Sequence, residues 1–167
     1  MNLQFYLERL NNSESFKEFI KEFSEAYLCS AFFIIDKEKK DDKYHFDYYV
    51  PSTKKIFSFK IESKIEKVPI EILDKKIPEK VSVDHDFDFN DIEKIILQKM
   101  EKENVKNKIQ KIILSLQKLD EKDFLVGTVF ISSLGILKFH LDLSNMKIVL
   151  FEKKSFFDMM KIIKKGE

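Results

Sequence analysis

The stretch from Asn90 to Leu119 constrains the fold of this chain more than any other. It opens on Asn-Asp-Ile-Glu, in which Asn90 and Glu93 have the spacing of a helix-capping box. Apolar residues then recur at spacings of three and four, at Ile92, Ile95, Ile96, Met100, Val105, Ile109, Ile112, Ile113, Leu116 and Leu119. This periodicity predicts one long amphipathic helix, with a kink or a break near 104–107, where apolar residues are sparse.

Strand patterns lie on both sides of this stretch. The run from Tyr27 to Asp36 is aromatic and β-branched, which predicts a buried strand. Further strands are predicted by alternating or continuous apolar residues over 44–50, 57–61, 124–131, 137–143 and 146–152, with a short edge strand near Pro69. Leu3, Leu7 and Leu10 on one side predict a short helix over 3–11, and capping residues predict helices over 13–23 and 155–163. The first two could equally be one bent helix.

The two halves of the chain repeat one order of elements: helix, buried strand, alternating strand, turn, strand. The first copy covers 13–62 and the second covers 105–152. We therefore expect an α+β protein of two similar helix-plus-antiparallel-meander (αβββ) units joined by a long central helix. The first unit, with the N-terminal helices, takes residues 1–80, and the second takes residues 81–167. Whether the two units share one sheet is left open by the sequence.

Composition narrows the classes of function. Lys and Arg number 30 and Asp and Glu 29, and Arg9 is the only arginine, so binding to nucleic acid is not expected. The motifs GxGxxG, P-loop, HExxH and GxSxG are absent, and we expect no cofactor. The N-terminus lacks a signal-peptide pattern, and no apolar run approaches the roughly 20 residues that span a bilayer. The default expectation is a cytoplasmic protein.

The helix-plus-meander unit supports a resemblance at the level of architecture. It ends in Lys138-Phe-His-Leu-Asp-Leu-Ser-Asn-Met-Lys-Ile148 and resembles PepSY and cystatin-like domains, which commonly serve as binding or inhibitory modules. The resemblance implies a non-enzymatic module that binds a protein or peptide partner. Because the chain lacks the Asp-x-x-x-Gly turn and export signal of the family, no functional residue is carried over. The chain also resembles small proteins of archaeal type, a likeness that implies no function.

One pattern predicts a metal site instead. His45 with Asp47, and His140 with Asp142, each occupy positions i and i+2, which place both side chains on one face of a strand. If the two strands were neighbours, the four side chains could converge as metal ligands in a small metal-dependent hydrolase. The alternative interpretation is that they are solvated polar positions on half-buried strands.

Two further features each have two interpretations. Cys29 could be a nucleophile, but its apolar neighbours favour a small core residue. The C-terminal helix carries apolar residues and is surrounded by lysines, which fits attachment to a membrane surface or a partner. Packing of this helix on the second sheet, with its lysines in solvent, is the interpretation that we prefer.

Overall fold

The computed structural model of the chain describes residues 1–72 and 75–166, without the side chains of Phe156, Met159 and Ile162. Part of the apolar stripe predicted for the C-terminal helix therefore lies outside the described residues. The helices are α1 (Leu3–Asn12), α2 (Glu14–Glu22), α3 (Phe89–Lys102) and α4 (Phe156–Lys165). The strands are β1 (Tyr27–Asp36), β2 (Lys43–Val50), β3 (Lys55–Ile61), β4 (Ile65–Ile70), β5 (Ile109–Leu119), β6 (Lys122–Ile131), β7 (Gly135–Asp142) and β8 (Lys147–Ser155).

All eight strands belong to one sheet, in the order β4-β3-β2-β1-β5-β6-β7-β8. Every neighbouring pair is antiparallel. The two halves meet where β1 pairs with β5, with Phe33 opposite Leu114 and Ala31 opposite Leu116. The predicted architecture of two helix-plus-meander units joined by a long central helix is therefore wrong. The fold is α+β, but it is dominated by a single sheet that runs across both halves.

The error lies in the stretch that was predicted as one long helix. Helix α3 ends at Lys102, and Asn104 follows it in the left-handed backbone region with φ of 57°. From Ile109 onward the chain is strand β5, whose core-facing residues Ile112, Leu114 and Leu116 follow a period of two. Apolar residues at 109, 112, 113 and 116 also fit helical spacing, so the local pattern was compatible with both structures. Pairing with β1 and β6 decides in favour of the strand.

The core lies between one face of the sheet and helices α1, α2 and α3. Phe16 and Phe19 of α2 pack edge-on against Phe59 of β3, with ring centroids 5.1 Å away in both cases. Phe89 at the start of α3 packs against Phe33 of β1 at 5.0 Å. Ile92, Ile96 and Met100 continue the buried side of α3, while the Lys99 ammonium lies over the ring of Phe151 in β8 at 5.6 Å.

The extended segment before α3 ties the N-terminus to the core. The Leu3 amide donates to the Phe87 carbonyl over 3.0 Å, and Val81 and Phe87 are buried. The cap of α3 is Asp88 rather than the predicted Asn90, because the Asp88 carboxylate accepts the Asn90 amide at 2.8 Å. Within the described part of the chain, no helix is long and apolar enough to cross a membrane.

Candidate functional site

The face of the sheet opposite the helices carries apolar side chains that lie outside the core. We call this surface the open face and define it by Phe32, Ile34, Ile113, Phe124, Val126 and Phe130. All six side chains are half-buried, and none of them belongs to the core cluster or packs against it. Strand register makes them neighbours, since Ile34 lies opposite Ile113, and Ser115 lies between Phe32 and Val126.

The open face is apolar because its strands carry apolar residues on both sides of the sheet. In β1, Ala31 and Phe33 point into the core, so Phe32 and Ile34 must point the other way. An antiparallel sheet with one solvated face ordinarily alternates apolar residues with polar ones. Here β1, β5 and β6 place large apolar residues at outward positions as well. These half-buried apolar residues on adjacent strands make the open face the candidate interaction surface of the chain.

Both histidines that the sequence predicted as metal ligands lie on this face. His45 of β2 is directly opposite Phe32, with ring centroids 6.2 Å apart, and His140 of β7 lies beside Phe124 at 6.4 Å. Strands β1, β5 and β6 separate β2 from β7. Four strand spacings amount to roughly 19 Å, whereas metal–nitrogen bonds are ~2 Å long. The two histidines are therefore not brought to one metal ion.

The two carboxylates that accompany them have local roles. Asp47 accepts the Ser30 hydroxyl at 2.8 Å, and its other carboxylate oxygen is buried without a hydrogen-bond partner. Asp142 accepts the Ser144 hydroxyl at 2.6 Å and the Ser144 amide at 2.8 Å, and these bonds lower the pKa of Asp142. Among the residues that the structure describes, no three His, Cys, Asp or Glu side chains are grouped as metal ligands.

Lysines border the open face. Register places Lys43 opposite Ile34, Lys111 opposite Phe130 and Lys60 opposite His45. Burial lowers the pKa of His45, so its imidazole is uncharged at neutral pH. Lys138 and Lys154 extend this border on β7 and β8. Acidic side chains lie on the same side of the sheet as well. Asp36 of β1 is paired with Lys111 at 3.1 Å, Asp47 and Asp142 accompany the two histidines, and Glu66 and Glu152 lie on the edge strands.

Sequence reasoning missed a second polar cluster, which lies on the helix-covered side around Asp123. The Asp123 carboxylate accepts the Ser82 amide at 3.0 Å and lies 2.6 Å from His85 Nε2 and 3.0 Å from Lys118 Nζ. Burial acts to raise the pKa of Asp123, but the bonds from His85, Ser82 and Lys118 outweigh it and lower the pKa. The four residues come from β5, β6 and the segment before α3, so no local motif could have shown them. The cluster fastens that segment to the sheet.

Cys29 occupies a bulge in β1 and is buried. Its Sγ lies 3.3 Å from the Asp47 carbonyl oxygen, to which the thiol can donate. Burial, with the Asp47 charge beside it, raises the pKa of the thiol to about 12. Since the nucleophilic form is the thiolate, Cys29 is not activated for catalysis at neutral pH. The structure places it as a small core residue.

Comparison with known proteins bears on the fold alone. No protein-family model matches the chain, and no curated protein sequence matches it. A solved structure from Clostridium difficile 630, described as a "putative lipoprotein", superposes with a TM-score of 0.59 at 11% sequence identity. The match covers 84% of this chain and 91% of the other. The two chains therefore share a fold, and at this identity the likeness says nothing about activity.

Proposed function

We propose that this chain is a non-enzymatic binding module that holds a partner protein against the open face. The observation that carries the proposal is the placement of six large apolar side chains on a sheet face outside the core. Scattered surface apolar residues are normal, but a contiguous patch on adjacent strands marks an interaction surface.

The side of the sheet that carries the open face is large enough for a stable interface. Eight strands spaced at about 4.8 Å span roughly 38 Å across the sheet. A protein interface of ordinary size covers about 800 Å² on each partner, which is a patch roughly 28 Å on a side. The apolar centre on β1, β5 and β6 therefore has room around it for a polar rim on β2 and β7. An apolar core within a polar rim is the usual anatomy of such interfaces.

Charge indicates the chemistry of the partner surface. Lysines on β2, β3, β5, β7 and β8 surround the apolar centre, and acidic residues lie among them on β1, β2, β4, β7 and β8. A complementary protein surface has apolar residues at its centre and charges of both signs at its rim. Such charges raise the association rate, so binding should weaken at high salt mainly through slower association.

Site-specific photo-cross-linking in cells that make the protein tests this function. A photoreactive phenylalanine analogue at Val126, on the open face, should give one cross-linked protein band. The matched control places the analogue at Leu97, which is 47% exposed on helix α3, and should not give that band. The same product from both positions, or nucleic acid as the only material that co-purifies, would overturn the proposal.

A further inference from the structure

Helix α4 exposes a stripe of large apolar side chains. Phe157, Met160 and Ile163 are 63%, 41% and 66% exposed and follow one another at intervals of three residues. Residues at this spacing are neighbours on one side of a helix. Each of these side chains thus keeps at least two fifths of its surface in solvent. The stripe is therefore an exposed apolar surface, of the kind found where another molecule docks.

Lysines accompany the stripe. Helix α4 holds Lys161, Lys164 and Lys165 against one acidic residue, Asp158. The acidic residue lies in the first turn, where its carboxylate completes the capping box with Ser155. The exposed positive charge is thus gathered in the second half of the helix. A helix with an apolar side and flanking lysines is the type that lies in the interface of an anionic lipid bilayer.

A neighbouring turn adds a further exposed apolar residue at the same end of the sheet. Leu134, in the turn between β6 and β7, is 58% exposed. It adjoins Gly135, which pairs with Ser155, the cap of α4. Leu134 and Ser133 both have left-handed backbone conformations, with φ of 57° and 64°. Leucine is unfavourable in this region, and exposure at the tip of a turn does not offset the cost.

We propose that α4, together with Leu134, docks this protein on the surface of an anionic membrane. The helix lies in the plane of the interface, with Phe157, Met160 and Ile163 among the upper acyl chains and its lysines at the lipid phosphates. At ten residues it is about 15 Å long, half of what a membrane span requires. This docking does not depend on the open face, which lies on the strands.

Vesicle flotation of the full chain tests the proposal. The protein should float with vesicles of phosphatidylcholine and phosphatidylglycerol but remain behind with vesicles of phosphatidylcholine alone. Binding should weaken as salt is raised, because the attraction of lysines to the anionic surface is screened. Absence of flotation with the anionic vesicles would overturn the proposal.

Two variants and one control locate the binding to α4. Phe157→Asp with Ile163→Asp should weaken binding roughly tenfold or more, since each change removes an apolar anchor. Lys161→Gln, Lys164→Gln and Lys165→Gln together should weaken it by a similar factor and remove its dependence on lipid charge. Leu97→Asp, at an exposed apolar position on α3, is the matched control and should bind as the wild type does.

Each variant is first shown to be folded by its urea-unfolding midpoint. Equal flotation of the α4 variants and the wild type would overturn the assignment of membrane binding to α4. A second outcome would also overturn it: light scattering shows that the wild type is a dimer, the two aspartate substitutions dissociate that dimer, and neither protein binds vesicles. In that case the stripe would be an interface between two copies of the chain.

Discussion

Gly127 of β6 lies directly opposite Phe139 of β7, whose ring occupies the space that a side chain at Gly127 would take. Gly127→Ala should therefore destabilise the fold by about 1–3 kcal/mol, because the added carbon collides with a fully buried ring. Urea unfolding measures the change, and Thr128→Ala, on the opposite face of the same strand, should cost less than about 1 kcal/mol. Equal stability of Gly127→Ala and the wild type would show that Phe139 can move aside.

Asp123→Asn should weaken the attachment of the segment before α3. The carboxylate is 7% exposed, accepts a hydrogen bond from the Ser82 amide and lies 2.6 Å from His85 Nε2, so we expect a loss of about 1–3 kcal/mol in the free energy of unfolding at pH 7. Because its pKa is lowered in the folded state, the stabilisation is present above the ordinary carboxyl pKa and is lost as pH falls through the folded value.

Urea unfolding at pH 7 and at about pH 3 measures this dependence. The difference between wild type and Asp123→Asn should shrink at the lower pH. Asp86→Asn, at an exposed position in the same segment, is the control and should change stability little at either pH. An unchanged difference between pH 7 and pH 3 would mean that the charge of Asp123 contributes nothing.

Because of His45, the fold should be less stable in mild acid than at neutral pH. Burial lowers its pKa in the folded state, so the unfolded chain takes up the proton more readily. The free energy of unfolding should fall as pH decreases from about 6.5, the ordinary value for histidine, through the lowered folded value. His45→Gln should reduce that fall, measured by urea unfolding at pH 7.5 and at about pH 5. The same pH dependence in both proteins would contradict this role.

Most individual elements could be predicted from the sequence, because their patterns have one solution. Leu137, Phe139 and Leu141 alternate with polar residues, which fits a strand and no helix. The region from Ile109 to Leu119 was predicted wrongly because its spacing fits both structures. What separates them is the β1–β5 pairing, a contact between residues far apart in the chain, which no local period contains.

The candidate site, like the fold, was predictable in its local features but not in its overall arrangement. Alternation placed His45 with Asp47, and His140 with Asp142, on common strand faces, but it could not show how many strands lie between them. Phe32 and Ile34 belong to a continuous apolar run that predicts a fully buried strand. Only the position of all three core helices on one side of the sheet leaves these residues on an open face. That position is a property of the whole fold.

The central claim is that the open face binds a partner protein. The most direct test is the affinity of a variant with one substitution on that face for the partner identified by cross-linking. Val126→Glu puts a charge at the centre of the apolar patch on a half-buried position, and Leu97→Glu puts the same charge on helix α3. In titration calorimetry with the purified partner, Val126→Glu should raise the Kd tenfold or more, which corresponds to a loss of at least about 1.4 kcal/mol of binding free energy. Leu97→Glu should leave the Kd unchanged. A Kd for Val126→Glu equal to that of the wild type, with both proteins folded, would contradict the claim.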